Sequence, residues 1–258
     1  MTQLKPLKAT EETKDTEETR DKELESLYKA YINLQNIIRQ WQKERGQYWT
    51  QKIVPAKSYP YFSLSSLPEE PVLELVNRLL NESKRLCSAE EIQSAWNVYR
   101  LEQSLEDQEL FSYFTLAVQG VFKLACQTLS EDLIKNADGE GGYTCPICGQ
   151  EAGFSVLVPP VGKRFLHCTR CDHEWPGKRV GCIHCGSEEA SDQTYLKNEN
   201  YPGVEIVVCQ ACGGDFKEVD LRERAVEDWG WEDIRTLPLN YAAEKWAHEQ
   251  AAKKGLIS

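Results

Sequence analysis

Four Cys-x-x-Cys pairs constrain this chain more than any other feature of its sequence. They lie between residues 145 and 212, with 19, 10 and 23 residues between successive pairs. The paired residues are Cys145 and Cys148, Cys168 and Cys171, Cys182 and Cys185, and Cys209 and Cys212. Pairs of this kind occur in disulfide scaffolds, in thioredoxin-like redox sites and in thiolate metal sites. The compartment and the residues around each pair distinguish the three.

The N-terminal sequence predicts a cytoplasmic protein. Residues 1–20 are charged and Thr-rich, and they lack the apolar centre of a signal peptide. No stretch approaches the roughly 18 to 20 apolar residues of a membrane span, so we expect no membrane insertion. Because cytoplasmic thiols are kept reduced, the cysteine pairs favour metal binding over disulfide bonds.

The residue that follows each pair also favours metal sites. Three pairs are followed by Gly149, Gly186 and Gly213, and the fourth is followed by Asp172. A chelating turn commonly needs positive φ at this position, which Gly adopts freely and Asp tolerates. A thioredoxin-like pair instead begins a helix, and no helical pattern follows these pairs. We therefore predict turns that present thiolates to metal.

The spacing favours two sequential sites. An interval of 19 or 23 residues accommodates a strand, a turn and a returning strand, whereas ten residues is tight for that path. Site one would then comprise Cys145, Cys148, Cys168 and Cys171, and site two Cys182, Cys185, Cys209 and Cys212. The alternative is an interleaved arrangement, because spacing alone does not fix connectivity. Two ions per chain are expected, and the pattern does not separate zinc from rubredoxin-type iron.

The region before the cysteines is predicted to be helical. Residues 1–20 are expected to form a disordered leader, and an apolar stripe from Leu24 to Trp41 predicts a long helix that stops near Gly46. Further helices are predicted at residues 72–86, after a capping box of Ser88 and Glu91, and along the broad apolar face of residues 110–133. Cys87 and Cys126 lie in these helical stretches, where core packing is expected.

The run "NADGEGG" predicts a boundary between the helical region and a β-rich region. The expected segments are a helical domain at 21–140, a metal-binding module at 141–216 and C-terminal helices at 217–258. Strands are predicted at "FSVLVP", "KRFLHC" and "VEIVVC", within an approximate duplication of a pair, hairpin, pair unit. The fold class is therefore α+β: an all-α bundle, two tandem four-cysteine modules and a short helical end.

Charge and motif content limit the function. The formal net charge is −11, and residues 143–214 carry six Lys or Arg against eight Asp or Glu. A nucleic-acid module would be basic, so no nucleic-acid partner is expected. The chain also lacks a phosphate loop, a Ser/His/Asp set and a paired-carboxylate signal, which predicts that it is not an enzyme.

Polar residues near the cysteines have expected supporting roles. His167, His173 and His184 are predicted to lie around the sites or at the surface, because eight cysteines already complete two sites. Five basic residues would either offset the thiolate charge or form a solvated face: Lys163, Arg164, Arg170, Lys178 and Arg179.

The joint between the two sites, residues 172–181, is a candidate partner surface. Trp175 lies close in sequence to Lys178 and Arg179, and an aromatic residue beside basic residues is typical of interface anchors. The alternative is a Trp packed between the two modules.

The stretches "CPICG", "RFLHCTRCDHEWPGKRVGCIHCGS" and "CQACG" resemble the formate dehydrogenase accessory protein family of the FdhE type. The resemblance implies a helical N-terminal domain and two rubredoxin-like modules that bind iron through the eight paired cysteines. It implies work on the catalytic subunit of a molybdenum- or tungsten-dependent formate dehydrogenase during its maturation in the cytoplasm. "HEW", residues 173–175, falls on the family's central motif, and no catalytic residue is implied. The alternatives are a zinc-ribbon protein that binds nucleic acid and a rubredoxin-like electron-transfer protein.

Overall fold

The computed structural model describes residues 2–3, 11–137 and 142–253. These residues divide into two compact units. The helical unit comprises Lys29–Gln150 with Arg170–His173, and the sheet unit comprises the described parts of Met1–Tyr28, Glu151–Thr169 and Glu174–Ser258. The units do not coincide with the segments expected from the sequence, because residues 142–150 group with the helices and not with the sheet.

The described residues before Gly142 form five α-helices and one 3-10 turn, at Leu64–Ser66. The helices are α1 (Glu11–Thr50), α2 (Glu69–Glu82), α3 (Ala89–Tyr99), α4 (Gln108–Cys126) and α5 (Glu131–Ala137). Helix α4 is the most buried of them and carries Phe114, Val121 and Phe122 into the core, as its broad apolar face predicts. The capping box is confirmed: Ser88 Oγ accepts the N–H of Glu91 at 3.2 Å, and Glu91 accepts the N–H of Ser88 at 2.7 Å.

Helix α1 is longer at both ends than predicted. The expectation of a disordered leader through residue 20 is wrong for Glu11–Arg20, where Glu, Lys and Arg are good helix formers, and residues 4–10 lie outside the described part. The helix also continues through Gly46, because one Gly costs a helix only about 1 kcal/mol. A Cβ at Gly46 would lie 3.0 Å from Leu124 Cδ1, so the glycine permits close packing of α1 on α4.

The sheet unit contains one seven-stranded sheet with the order β1-β5-β6-β7-β2-β3-β4. The strands are β1 (Thr2–Gln3), β2 (Phe154–Val158), β3 (Lys163–His167), β4 (Glu174–Pro176), β5 (Gln193–Lys197), β6 (Val204–Cys209) and β7 (Asp215–Asp220). The three predicted strands correspond to β2, β3 and β6. Strand β4 lies inside the segment that the sequence suggested as a joint.

The sheet confirms the duplication. Strands β2, β3 and β4 form one antiparallel meander, and β5, β6 and β7 form a second. In each meander, one cysteine pair precedes the hairpin and the next pair follows it. Strands β2 and β7 pair in parallel, with Val156 opposite Val219, so the two modules share a single continuous sheet.

Two C-terminal helices cover one face of this sheet. Helices α6 (Trp229–Arg235) and α7 (Leu237–Lys253) follow β7. The core on this face comprises alternate strand residues and two residues of α7: Phe154, Val156, Leu196, Val204, Ile206, Val208, Val219, Leu239 and Ala243. The α+β architecture predicted from the sequence is therefore present. Among the described helices, none combines the length and apolar character that crossing a bilayer requires.

Candidate metal centres

The structure brings the eight paired cysteines together as two groups of four thiols. Within each group, all four sulfur atoms lie within 4.8 Å of one another. Site one contains the first two pairs and site two the last two, so the grouping is the sequential one and not the interleaved alternative. None of these cysteines forms a disulfide.

The turn at each pair has the backbone that the following residue predicts. The φ angles of Gly149, Asp172, Gly186 and Gly213 are 73°, 60°, 75° and 77°. The N–H of each glycine donates to the carbonyl of the first cysteine of its pair, at 2.9 Å, 3.1 Å and 2.8 Å along the chain. These bonds close the turns, called knuckles below, and the positive φ explains why Gly or Asp follows each pair.

The sulfur positions fit a tetrahedral ion. Four thiolates about 2.3 Å from a common ion would have sulfur atoms about 3.8 Å apart. The Sγ atoms of Cys182 and Cys212 are 3.7 Å apart, and those of Cys185 and Cys209 are 3.8 Å apart. In site one, the Sγ atoms of Cys145 and Cys171 are 3.5 Å apart. Both sites could therefore bind one metal ion.

The protein environment shifts the pKa values of three thiols in site two in different directions. Burial raises the pKa of the Cys182 thiol, although backbone N–H groups such as that of His184, 3.3 Å from Cys182 Sγ, oppose this rise. The N–H of Ser187 lowers the pKa of Cys185. Burial, followed by the hydrogen bonds with the neighbouring thiols, raises the pKa of Cys212 to about 12, and the backbone N–H of Gly214 opposes this rise. A divalent ion bound here would stabilise the thiolate forms of these cysteines.

The histidines lie around the sites and are not members of the two thiol groups. His167 is buried, its Nδ1 lies 3.2 Å from Glu174 Oε1, and its ring stacks on Trp229 with centroids 4.5 Å apart. His184 Nε2 donates to the carbonyl of Asp215 at 3.0 Å. This agrees with the supporting roles expected for these two residues.

The basic residues do not form one solvated face. Arg164 is only 3% exposed and lies 3.4 Å from Glu218. Its Nε donates to Ser155 Oγ at 2.5 Å, and its NH1 donates to the carbonyls of Lys178 at 3.2 Å and Gly181 at 2.8 Å. Arg164 thereby fixes the chain just before Cys182, the first ligand of site two.

The charge pattern alone does not distinguish Arg164 from its basic neighbours, and the sequence therefore did not predict its contacts. The available signal is alternation along the predicted strand, which places Arg164 on the same face as Leu166, two residues later. Leu166 is 1% exposed, so Arg164 shares a buried face.

The candidate partner residues differ in accessibility. Trp175 is 1% exposed, so its expected role as a surface anchor is wrong. Strand β4 pairs Trp175 with Leu166 of β3, which places the ring in the interior. Lys178 and Arg179 are exposed, and Lys178 forms an ion pair with Glu188.

Cys87 and Cys126 are half-buried and outside both thiol groups.

Comparisons with known proteins point to one family. The model of the FdhE central domain matches residues 144–179. A protein FdhE homolog from Aquifex aeolicus is 31% identical over 109 residues, which cover 41% of this chain and 37% of that protein. A homolog from Pectobacterium carotovorum is 30% identical over 195 residues, covering 67% of this chain and 61% of that protein. The matched segments thus span less than two thirds of each relative.

A solved structure shows the same fold. The crystal structure of the FdhE protein from Pseudomonas aeruginosa aligns with a TM-score of 0.59 and covers 83% of each chain. Sequence identity in this alignment is 18%.

Proposed function

From the similarity of this chain to FdhE proteins, we propose that it belongs to the FdhE family and is an accessory protein for formate dehydrogenase and not itself an enzyme. In this proposal it binds the catalytic subunit in the cytoplasm and is needed for that subunit to become active. The main support is the match at residues 144–179, which contain both knuckles of site one and the hairpin between them.

We further propose that each site binds one divalent ion, with iron as the physiological metal in both. The eight ligands would be the thiolates of the two groups described above. When bound, iron would provide a one-electron centre, whereas zinc would provide only a structural link. The protein side of the arrangement is the same for both metals: knuckle N–H groups and the sheet hold the thiolates in place.

Capture of the catalytic subunit tests the proposed function. A tagged copy of this chain, expressed in the cytoplasm of a cell that makes formate dehydrogenase, is expected to co-purify with that subunit. A strain that lacks the chain should still make the subunit but oxidise little formate. Normal formate oxidation in that strain, or co-purification of nucleic acid instead of the subunit, would contradict the proposal.

Lys178 and Arg179 test where the contact lies. Both are exposed, and truncation leaves the backbone carbonyl of Lys178 free to accept from Arg164. We expect the double change Lys178→Ala and Arg179→Ala to reduce capture while metal content stays normal. A matched control removes the same charge elsewhere on the sheet unit, by Lys163→Ala and Lys197→Ala. Equal capture by both variants would remove these two residues from the proposed interface.

Metal analysis tests the cofactor separately. Anaerobic purification followed by elemental analysis should give two ions per chain, and thiolate-bound ferric iron should give a strong visible spectrum. A spectrum that is lost on reduction and regained on oxidation would support electron transfer through these sites. Two zinc ions and no visible spectrum would overturn the assignment of iron but not the accessory role.

A further inference from the structure

The two sites differ in how their ligands meet solvent. In site one, Cys145 and Cys168 are 0% exposed, Cys148 is 2% exposed and Cys171 is 5% exposed. In site two, Cys182 and Cys209 are also 0% exposed, but Cys185 and Cys212 are exposed. The exposed ligands are the second cysteine of each knuckle, so one edge of site two faces water.

Contacts within the helical unit close the first knuckle of site one. The backbone N–H of Phe62 donates to the carbonyl of Ile147 at 2.9 Å. The hydroxyls of Tyr59 and Thr144 lie 2.5 Å apart. A Cβ built on Gly149 would come within 3.3 Å of Pro60. The segment at residues 59–62 therefore lies directly against this knuckle.

The second knuckle of site one is held from helix α4 and the loop before it. Lys123 Nζ lies 2.6 Å from Asp172 Oδ2, on the residue that follows Cys171. The guanidinium of Arg170 lies 5.6 Å from the ring centroid of Phe122 and donates to Glu102 at 3.1 Å. Opening this knuckle would break these contacts.

The second knuckle of site two is attached to the sheet through Cys209, and its other residues face solvent. Cys209 ends strand β6, where Gln193 of β5 donates to its sulfur at 3.9 Å. A Cβ built on Gly213 would find nothing within 4 Å, in contrast with Gly149. Gln210 and Ala211, between the two cysteines of this knuckle, are exposed.

We propose that site two exchanges its metal ion with competing ligands in solution, whereas site one is closed and structural. The competing ligand would be a soft donor, such as a thiolate of a partner or a small chelator. It would enter at the edge formed by Cys185 and Cys212, whose thiolates would leave the ion and take up protons from water. The ion keeps its charge, so no oxidant or reductant is needed. Exchange at site one first requires a knuckle to open, which is a local unfolding event.

Metal release tests this proposal, which rests on both sites binding metal as proposed above. The full-length protein is loaded with two zinc ions, so that oxidation plays no part, and mixed with excess 4-(2-pyridylazo)resorcinol. Two phases of equal amplitude are expected, with rates at least about tenfold apart, since only one site must open first. A single phase containing both ions would overturn the proposal. Binding of fewer than two ions would instead contradict the proposed metal content.

Two variants assign the phases. Cys145→Ser with Cys148→Ser should leave one ion that leaves in the fast phase. Cys182→Ser with Cys209→Ser should leave one ion that leaves in the slow phase. The reverse assignment would overturn the proposal.

A measurement on the unaltered chain avoids dependence on how the variants fold. The loaded protein is treated with chelator and a brief pulse of N-ethylmaleimide, and the modified cysteines are identified by peptide mass spectrometry. Cys185 and Cys212 should be labelled together with the fast phase, before any ligand of site one. Earlier labelling of Cys145, Cys148, Cys168 or Cys171 would show that the open edge is not the route of exchange.

Discussion

At the residue scale, each knuckle depends on the backbone angle of the residue after its second cysteine. Gly149 and Gly213 have nearly equal φ, at 73° and 77°, but only Gly149 has a neighbour, Pro60, within reach of a Cβ. Asn tolerates positive φ better than most residues. We therefore expect Gly213→Asn to retain the site-two ion and Gly149→Asn to weaken retention at site one. Zinc stoichiometry after dialysis against a weak chelator measures both, and equal losses would contradict the role of Pro60.

Arg164 is a second position where one side chain supports a site. Arg164→Ala removes the cation beside the buried Glu218 and one donor to two carbonyls, and loss of one partner of a buried pair costs about 3 to 5 kcal/mol. Denaturant unfolding of the metal-loaded chain measures this cost. Lys163→Ala is the control, because it changes the exposed neighbour on the same strand and should have little effect.

The effect of Arg164→Ala should also depend on pH. Burial already raises the pKa of Glu218, while Ser155 and Arg164 oppose the rise, so loss of Arg164 should raise it further. When the folded pKa exceeds the unfolded one, the folded state binds more protons and stability falls as pH rises through that window. The deficit of the variant should therefore shrink as the pH is lowered towards the ordinary pKa of Glu. A deficit that does not change with pH would contradict the role of Glu218.

At the element scale, helix packing in the helical unit depends on a close approach at Gly120 of α4. A Cβ there would lie 2.7 Å from Ile38 Cγ2 and 2.9 Å from Leu75 Cδ2, on α1 and α2. Gly→Ala in a helix normally stabilises by about 0.4 to 1 kcal/mol. Here overpacking should reverse the sign, with a loss of about 1 to 3 kcal/mol. The shift in the denaturant midpoint measures it.

Gly46→Ala provides the matched control for Gly120→Ala. A Cβ at Gly46 meets only one atom, Leu124 Cδ1 at 3.0 Å, which is the end of a flexible side chain. Its midpoint should therefore change less than that of the Gly120 variant. A larger midpoint loss for the Gly46 variant than for the Gly120 variant would contradict this ranking.

At the scale of the whole molecule, we expect metal removal to destabilise the sheet more than helices α2 and α4. Structural zinc sites contribute about 10 to 16 kcal/mol of apparent binding energy, which is comparable to the stability of a whole domain. The helical unit also buries large apolar side chains of its own, including Trp41, Trp96 and Phe114. We expect chelation to remove hydrogen-exchange protection from β2, β3, β5 and β6 while α2 and α4 stay protected and helical. Simultaneous loss of both would show that the metal supports the entire chain.

The sequence was most informative where structure depends on nearby residues. Knuckles depend on cysteine spacing and on a following residue that accepts positive φ, so eight candidate ligands and their backbone could be predicted before any fold was known. Helices α2 to α4 were recognisable for the same reason, because a period of 3.6 residues and a capping box are local signals. The ends of α1 were not, since good helix formers without an apolar stripe resemble a charged leader.

The sequence by itself determined four turns that could bind metal, because each is encoded by a Cys-x-x-Cys pair and the residue after it, whereas spacing left the grouping of the pairs into two sites open. Only the tertiary structure decided that β2 and β7 pair in parallel, that Trp175 is interior, and that site one is closed while site two has an open edge. These features depend on contacts between residues far apart in the chain. Such contacts leave no period in the sequence, and identical Cys-x-x-Cys pairs can therefore end in different surroundings.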